Sequence, residues 1–318
     1  MSPRHRLLAL FVVAVWGVNF AVTDVALRGV PPLVLTALRF AASAVPLVFL
    51  VPRPTARARY VIAYGLVFGG VKFGLLYTAM AHGMPAGLAS LVLQAQALFS
   101  VLLATGVLGE RLRPAQFGGV VLASCGIAAL AVSRGGGATL GGILMTIGAA
   151  VAWAAANVIV RASHETRPLS MLAYASLVPP LPLLGLSVTV DGPAATWHAL
   201  THLTFGALLA VGFIAYVSTL LGFGLWNRLL ARYPVGRVAP YSLLVPVVGL
   251  ATAALVLREP LTVPVVIAAA VILTGLALVT NAPRRAPDPG CPPRSVRGDA
   301  VISAAAAHRA TDRHVDAD

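Results

Sequence analysis

Seven stretches of this chain run for 20 residues or more without a charged side chain: Pro85 to Gly109, Pro114 to Ser133, Ala138 to Val160, Pro168 to Val190, Leu203 to Asn227, Val238 to Leu257 and Leu261 to Pro283. A hydrocarbon layer about 30 Å thick is crossed by about 20 apolar residues of helix. Three further stretches carry one charge each: Leu7 to Leu27 with Asp24, Pro31 to Val51 with Arg39, and Tyr60 to His82 with Lys72. The pattern predicts an all-α integral membrane protein of ten transmembrane helices, with the lipid bilayer as its first partner. Composition agrees: 10% of residues are charged, against roughly 25% in soluble domains.

The basic residues orient the chain. With the N-terminus inside, the inner loops hold Arg4 and Arg6, then Arg53, Arg57 and Arg59, then Arg111 and Arg113, then Arg161 and Arg167, then Arg228 and Arg232. The outer loops hold Arg28, Arg134 and Arg258. This asymmetry follows the positive-inside rule. It accounts for the formal charge of +13 through anionic lipid, so no nucleic-acid partner is expected. The first apolar stretch is too long for a signal-peptide core and is read as an uncleaved helix. Cys125 falls mid-span and Cys291 in the tail, which argues against a disulfide framework. Residues 284–318 change to Pro, Arg, Asp and Ala and are expected to form a disordered cytoplasmic tail.

An offset of 149 residues aligns the two halves without a gap for about fifty positions. Pro85 falls on Pro234, Gly87 on Gly236, Glu110 on Glu259, Leu112 on Leu261 and Gly126 on Gly275. Trp16 and Asn19 find counterparts in Trp153 and Asn157. The halves, 1–135 and 136–283, would each hold five helices. An odd number inverts the second half across the membrane, as in many secondary transporters whose site lies at the repeat interface.

Trp16-Gly17-Val18-Asn19-Phe20, Leu38-Arg39-Phe40 and Gly109-Glu110-Arg111-Leu112 resemble the EamA-type branch of the drug/metabolite transporter superfamily. Met84 to Ala97, and Arg237 to Pro240 with Ser242 to Leu250, are similar to that branch's bacterial exporters of cysteine and O-acetylserine. The resemblance covers residues 1 to about 282. It implies ten helices in two repeats, an inner-membrane location with both termini cytoplasmic, and alternating-access export of a small amino-acid-like substrate. Uptake, or drug or metabolite efflux of another solute within the superfamily, is the alternative, with a non-transporting membrane protein as the reading from another class. Lys72 and the tail depart from the family pattern.

Polar residues inside a bilayer are costly and mark candidate sites. Lys72, the only lysine, lies about 18 Å along its helix from Tyr60, near the midplane. It could neutralise a substrate carboxylate or relay a proton, which makes the proton a candidate coupling ion; alternatively it bonds a carbonyl or snorkels. Arg39, on one face with Thr36 and Ser43, either contacts substrate or snorkels outward. Asp24 is one turn from Arg28 and reads as its local ion-pair partner. Gln94 shares a small polar stripe with Gly87 and Ser90. On an ideal α-helix it points about 200° from Gln96, so only Gln94 is expected in a cavity. Asn19 and Asn157 are either substrate contacts or interhelical glue. Trp226 and Tyr241 could wall the ligand, with Ser242 as a further contact, or the two aromatics are interfacial anchors. Pro240 and Pro246 lack backbone donors and free the carbonyls of Gly236 and Ser242, which either make a hinge with acceptors or pack against Ser or Thr of a neighbouring helix. No HExxH, paired-Asp or GxSxG motif occurs, and the histidines fall in loops, helix ends or the tail. Neither an enzyme nor a metal or cofactor site is expected.

Overall fold

The computed structural model describes residues 1–108, 114–133, 137–233 and 235–281, and every regular element among them is helical. The tail at 284–318, the Gly109-Glu110-Arg111-Leu112 motif, Arg113, Arg134 and Pro234 lie outside the described residues. The helices are α1 (Pro3–Leu27), α2 (Pro32–Leu50), α3 (Ala58–Ala81), α4 (Ala86–Val92 and Gln96–Leu108), α5 (Pro114–Ser133) and α6 (Leu140–Ser163). They continue with α7 (Pro168–Ala175 and Pro180–Val190), the short α8 (Pro193–Thr201), α9 (Phe205–Arg232), α10 (Val235–Ser242 and Val245–Val256) and α11 (Val263–Asn281). Prolines open α1, α2, α7 and α8 in the first turn, where a missing N–H leaves no bond unmade.

Eight of these helices are long and apolar enough to cross a membrane, and two shorter apolar helices, Pro240–Val256 and Val263–Val279, follow them. The distribution of side chains suits a bilayer. Phe49, Leu255 and Phe205 are 84%, 83% and 75% exposed, while Arg39 and Lys72 are 2% and 3% exposed. In water that arrangement would expose apolar surface and bury charge, both unfavourable; in lipid the apolar exterior is at home.

The 149-residue offset extends from sequence to backbone. A π-helical segment occupies Gly65–Lys72 in α3 and another Phe213–Leu221 in α9, so Lys72 corresponds to Leu221. The offset carries the starts of both pieces of α4, Ala86 and Gln96, onto the starts of both pieces of α10, Val235 and Val245. In α4 the join is a 3₁₀ turn, Leu93–Ala95; in α10 it is a turn at Leu243 and Leu244. Both interruptions break the regular α-helical ladder, and any backbone group so freed is tolerable at membrane depth only against protein or a wet cavity.

Close approach between helices follows the glycines. A Cβ on Gly119 would lie 2.6 Å from the Gly275 carbonyl oxygen, and one on Gly126 2.7 Å from Ile272, which joins α5 to α11. A Cβ on Gly17 would lie 2.6 Å from Val248, joining α1 to α10. Small residues let helix backbones meet where no hydrophobic force drives them together. Gly69 abuts Pro179 in the break of α7 in the same way, whereas Gly70 faces open space. Gly83 has φ +91°, which makes it a turn residue.

Loop contacts sort into two sets. Tyr233 Oη lies 3.4 Å from the Ser2 nitrogen and 3.0 Å from His5 Nδ1, and the Glu165 carboxylate accepts from Thr55 Oγ1 and the Ala56 N–H, each at 2.7 Å. These join loops of the basic set. At the other end of the helices the Thr139 N–H donates to the Gly83 carbonyl at 3.1 Å. There Glu259 also caps the start of α4 through the N–H groups of Ala86 and Gly87, at 2.7 and 3.0 Å.

Candidate functional site

A cavity of about 320 Å³ lies among α1, α2, α3, α4, α6, α9 and α10. Lys72, Arg39, Asn19, Asn157, Gln94, Trp226 and Ser242 all line it. These seven come from both halves of the chain, and only the fold brings them together.

The two cations share one aromatic ring. Lys72 Nζ lies 3.2 Å from the centroid of Phe73 and 4.3 Å from that of Trp153; the Arg39 guanidinium carbon lies 3.9 Å from Phe73. A ring face attracts a cation, and more strongly once water is removed. Arg39 also donates to Tyr77 Oη at 2.6 Å and to Thr219 Oγ1 at 2.9 Å, a bond that crosses from the first half to the second. Neither residue snorkels: both side chains turn inward. No carboxylate lines the cavity, and among the described residues neither cation forms an ion pair. Asp24 does pair with Arg28, at 3.1 Å and away from the site.

Among the described residues two buried side-chain polar atoms have no hydrogen-bond partner, Arg39 Nε and Asn19 Oδ1. Both residues line the cavity together with Lys72, so its walls carry an unused donor and an unused acceptor. A ligand with an anionic group and an N–H or O–H donor would satisfy them.

The remaining polar residues are engaged. Gln94 Nε2 donates to the Ser242 carbonyl at 3.0 Å. That carbonyl is one of the two that Pro246 and Pro240 were expected to free, and a side chain of the other repeat takes it. Pro246, however, does not kink a continuous helix: it stands in the first turn of the second piece of α10. Asn157 Nδ2 donates to Gln96 Oε1 and Ser100 Oγ, both at 3.2 Å. Gln96 therefore lines the cavity together with Gln94, which corrects the expectation that only one could. The helix carrying them presents its edge to the cavity at a 3₁₀ turn. Two long side chains diverge from that edge to opposite walls, one to α10 and one to α6. Tyr241 is the residue that the fold leaves outside. It packs on Ala9, Leu229 and Val238, because the neighbour of a cavity-facing Ser242 is turned about 100° around the helix.

The two tryptophans are arranged alike. Trp16 Nε1 donates to the Ser218 carbonyl in the π segment of α9 at 3.0 Å, and its ring sits 5.2 Å from both Phe223 and Trp226. Trp153 lies 6.2 Å from Phe68 in the π segment of α3. Each half thus sends a Trp against the π segment of the other, and π segments recur at functional sites. Sequence reasoning missed Tyr77 and Thr219. Tyr77 carried a signal, since Phe73, Leu76, Tyr77 and Met80 form one helical face and all line the cavity; Thr219 carried none. Among the described residues no cluster of three or more His, Cys, Asp or Glu could hold a metal ion.

The model of the EamA-like transporter family matches the chain twice, over residues 5–132 and 140–281. Over 282 residues the chain is 43% identical to a protein of Escherichia coli K12 described as "probable amino-acid metabolite efflux pump", covering 87% of this chain and 94% of that one. A Salmonella typhimurium protein of the same description is 42% identical with the same coverage. A crystal structure at 22% identity covers 90% of this chain and all of its own, with a TM-score of 0.55, a likeness of fold. With two matches spanning most of its length, the chain is a member of the EamA-like transporter family.

Proposed function

We propose that this membrane transporter is a secondary exporter of small polar metabolites of the amino-acid type, with cysteine and O-acetylserine as representatives, working by alternating access. The observation that carries the reading is the cavity itself: the two halves enclose it, and it holds two buried cations with no carboxylate to balance them. Such a site is costly when empty. A substrate carboxylate near Lys72 and Arg39 offsets that cost, and its amino or hydroxyl hydrogen suits Asn19 Oδ1. The description of two relatives as probable amino-acid metabolite efflux pumps supports the substrate type.

The same reading gives ten transmembrane helices as two inverted repeats, 1–135 and 136–283, an inner-membrane location and cytoplasmic termini, followed by a cytoplasmic tail at 284–318. The breaks beside Pro240 and Pro246 serve as hinge points. The proton is the candidate coupling ion.

The test is uptake of radiolabelled O-acetylserine and cysteine by purified protein in vesicles, with and without an imposed pH gradient. Saturable, protein-dependent flux is the expected result, and its rise with the gradient would assign the proton. Absence of flux for every amino-acid derivative tried would reject the substrate class.

A further inference from the structure

Away from the central cavity, a groove of about 460 Å³ lies between the start of α7 and the second half of α9. Leu220, Leu221, Gly224 and Leu225 line its length; Arg167 and Arg228 stand at one end. Leu221 is 44% exposed, and Gly224 faces open space with nothing within 4 Å of where a Cβ would stand. The slot is therefore apolar and unfilled by the protein's own side chains.

Its basic end is not neutralised. Arg228 is exposed and makes no hydrogen bond or ion pair among the described residues. Arg167 spends one arm, Nη1, on the Arg53 carbonyl at 3.2 Å. The nearest carboxylate in sequence, Glu165, is occupied by Thr55, Ala56 and the Arg167 N–H. Both arginines belong to the end of the bundle where the basic loops gather.

We infer that this groove is a binding site for an anionic phospholipid, its phosphate between Arg167 and Arg228 and one acyl chain along Leu220, Leu221 and Leu225. Guanidinium groups match phosphate geometry, and basic pockets between membrane helices take acidic head groups. A free phosphate would leave the apolar slot unused; a zwitterionic lipid carries its own cation beside the phosphate and so brings no net charge to two arginines. The inference rests on the membrane-spanning reading and not on the identity of the substrate. Leu220 and Leu221 directly follow Thr219, which holds Arg39, so groove and cavity share one stretch of backbone.

The test uses the full chain purified in a non-ionic detergent, with lipid retention read by native mass spectrometry. Phosphatidylglycerol, phosphatidylcholine and inorganic phosphate are offered separately and in competition. Phosphatidylglycerol should be retained over phosphatidylcholine, and Arg228→Gln should weaken that preference about fivefold, the size of one basic residue's attraction to an acidic lipid surface. Adding Arg167→Gln should abolish it. Gly224→Leu, whose Cβ would meet nothing within 4 Å, should reduce retention of both lipids while the protein stays monodisperse. Equal retention of the two lipids by the native chain would overturn the assignment, as would unchanged retention in the double variant. Displacement by millimolar inorganic phosphate would show a site for a free anion instead. Amino-acid transport is not read in this experiment, so its failure leaves the transport reading standing.

Discussion

Lys72 is stabilised where it stands by rings: Phe68, Phe73 and Trp153 lie at 5.0, 3.2 and 4.3 Å from its ammonium. Ring contacts soften the loss of water but do not replace it. Replacement by Met keeps the apolar stem and removes the charge. We expect Lys72→Met to insert and purify like the native chain while export falls to background in the vesicle assay; normal export by a well-folded variant would remove Lys72 from the transport cycle. Tyr77 has a different task. Its hydroxyl accepts from Arg39 at 2.6 Å and lies 3.5 Å from Thr23 Oγ1, and so aims the guanidinium. Tyr77→Phe deletes one charge-assisted bond, worth roughly 1.5–3 kcal/mol. It should raise KM about tenfold with the fold intact; an unchanged KM would show that Arg39 is aimed by Thr219 alone.

At the scale of elements, the bundle depends on glycines where helices touch. Gly275→Val would drive a side chain into the Ala123 nitrogen and the Gly119 carbonyl, both 2.6 Å from a Cβ there. Overpacking of this kind costs about 1–3 kcal/mol, so the melting temperature should drop by several degrees. Gly224→Leu, facing open space, should leave it unchanged; equal effects of the two would argue against close packing of α5 on α11. The strap between loops 51–57 and 164–167 rests on Glu165. Partial burial raises its pKa, but bonds from Thr55 Oγ1 and the N–H groups of Ala56 and Arg167 outweigh this and hold the carboxyl below its usual range. A depressed carboxylate contributes stability that is complete above its ordinary pKa and is lost as pH falls through the depressed one. Protection of the Ala56 and Arg167 amides, taken relative to their intrinsic exchange rates, should therefore be high at neutral pH and be lost only in acid. Glu165→Gln should exchange fast at neutral pH; matching protection in the variant would remove the carboxylate from the strap.

The whole molecule is legible through its loops. Contacts of Ser2 and His5 with Tyr233, and of Thr55 with Glu165, put the Arg-rich loops at one end. Those of Thr139 with Gly83, and of Glu259 with Ala86, put the Arg-poor loops at the other. Reporter fusions after Thr55 and Glu165 should read as cytoplasmic, and those after Val30 and Gly192 as external. A cytoplasmic signal after Gly192 would break the proposed topology.

What the sequence determined by itself is whatever depends on composition and period. Charge-free runs near 20 residues fix apolar helices, because backbone in lipid must bond to itself. Pro, Gly and Glu at one offset reveal the repeat, and the cost of charge at depth marks Lys72 and Arg39. What the tertiary structure decided is which polar groups meet. Gln94 is spent on the Ser242 carbonyl and Asn157 on Gln96, while Arg39 Nε and Asn19 Oδ1 remain unused. No periodicity can tell these cases apart, since each partner comes from a helix distant in the chain. The angular argument about Gln94 and Gln96 failed because it assumed an ideal helix where the fold places a 3₁₀ turn. Thr219 stayed invisible for a related reason: an unremarkable residue of an apolar span, it acquires its role from Arg39, 180 residues away in the chain.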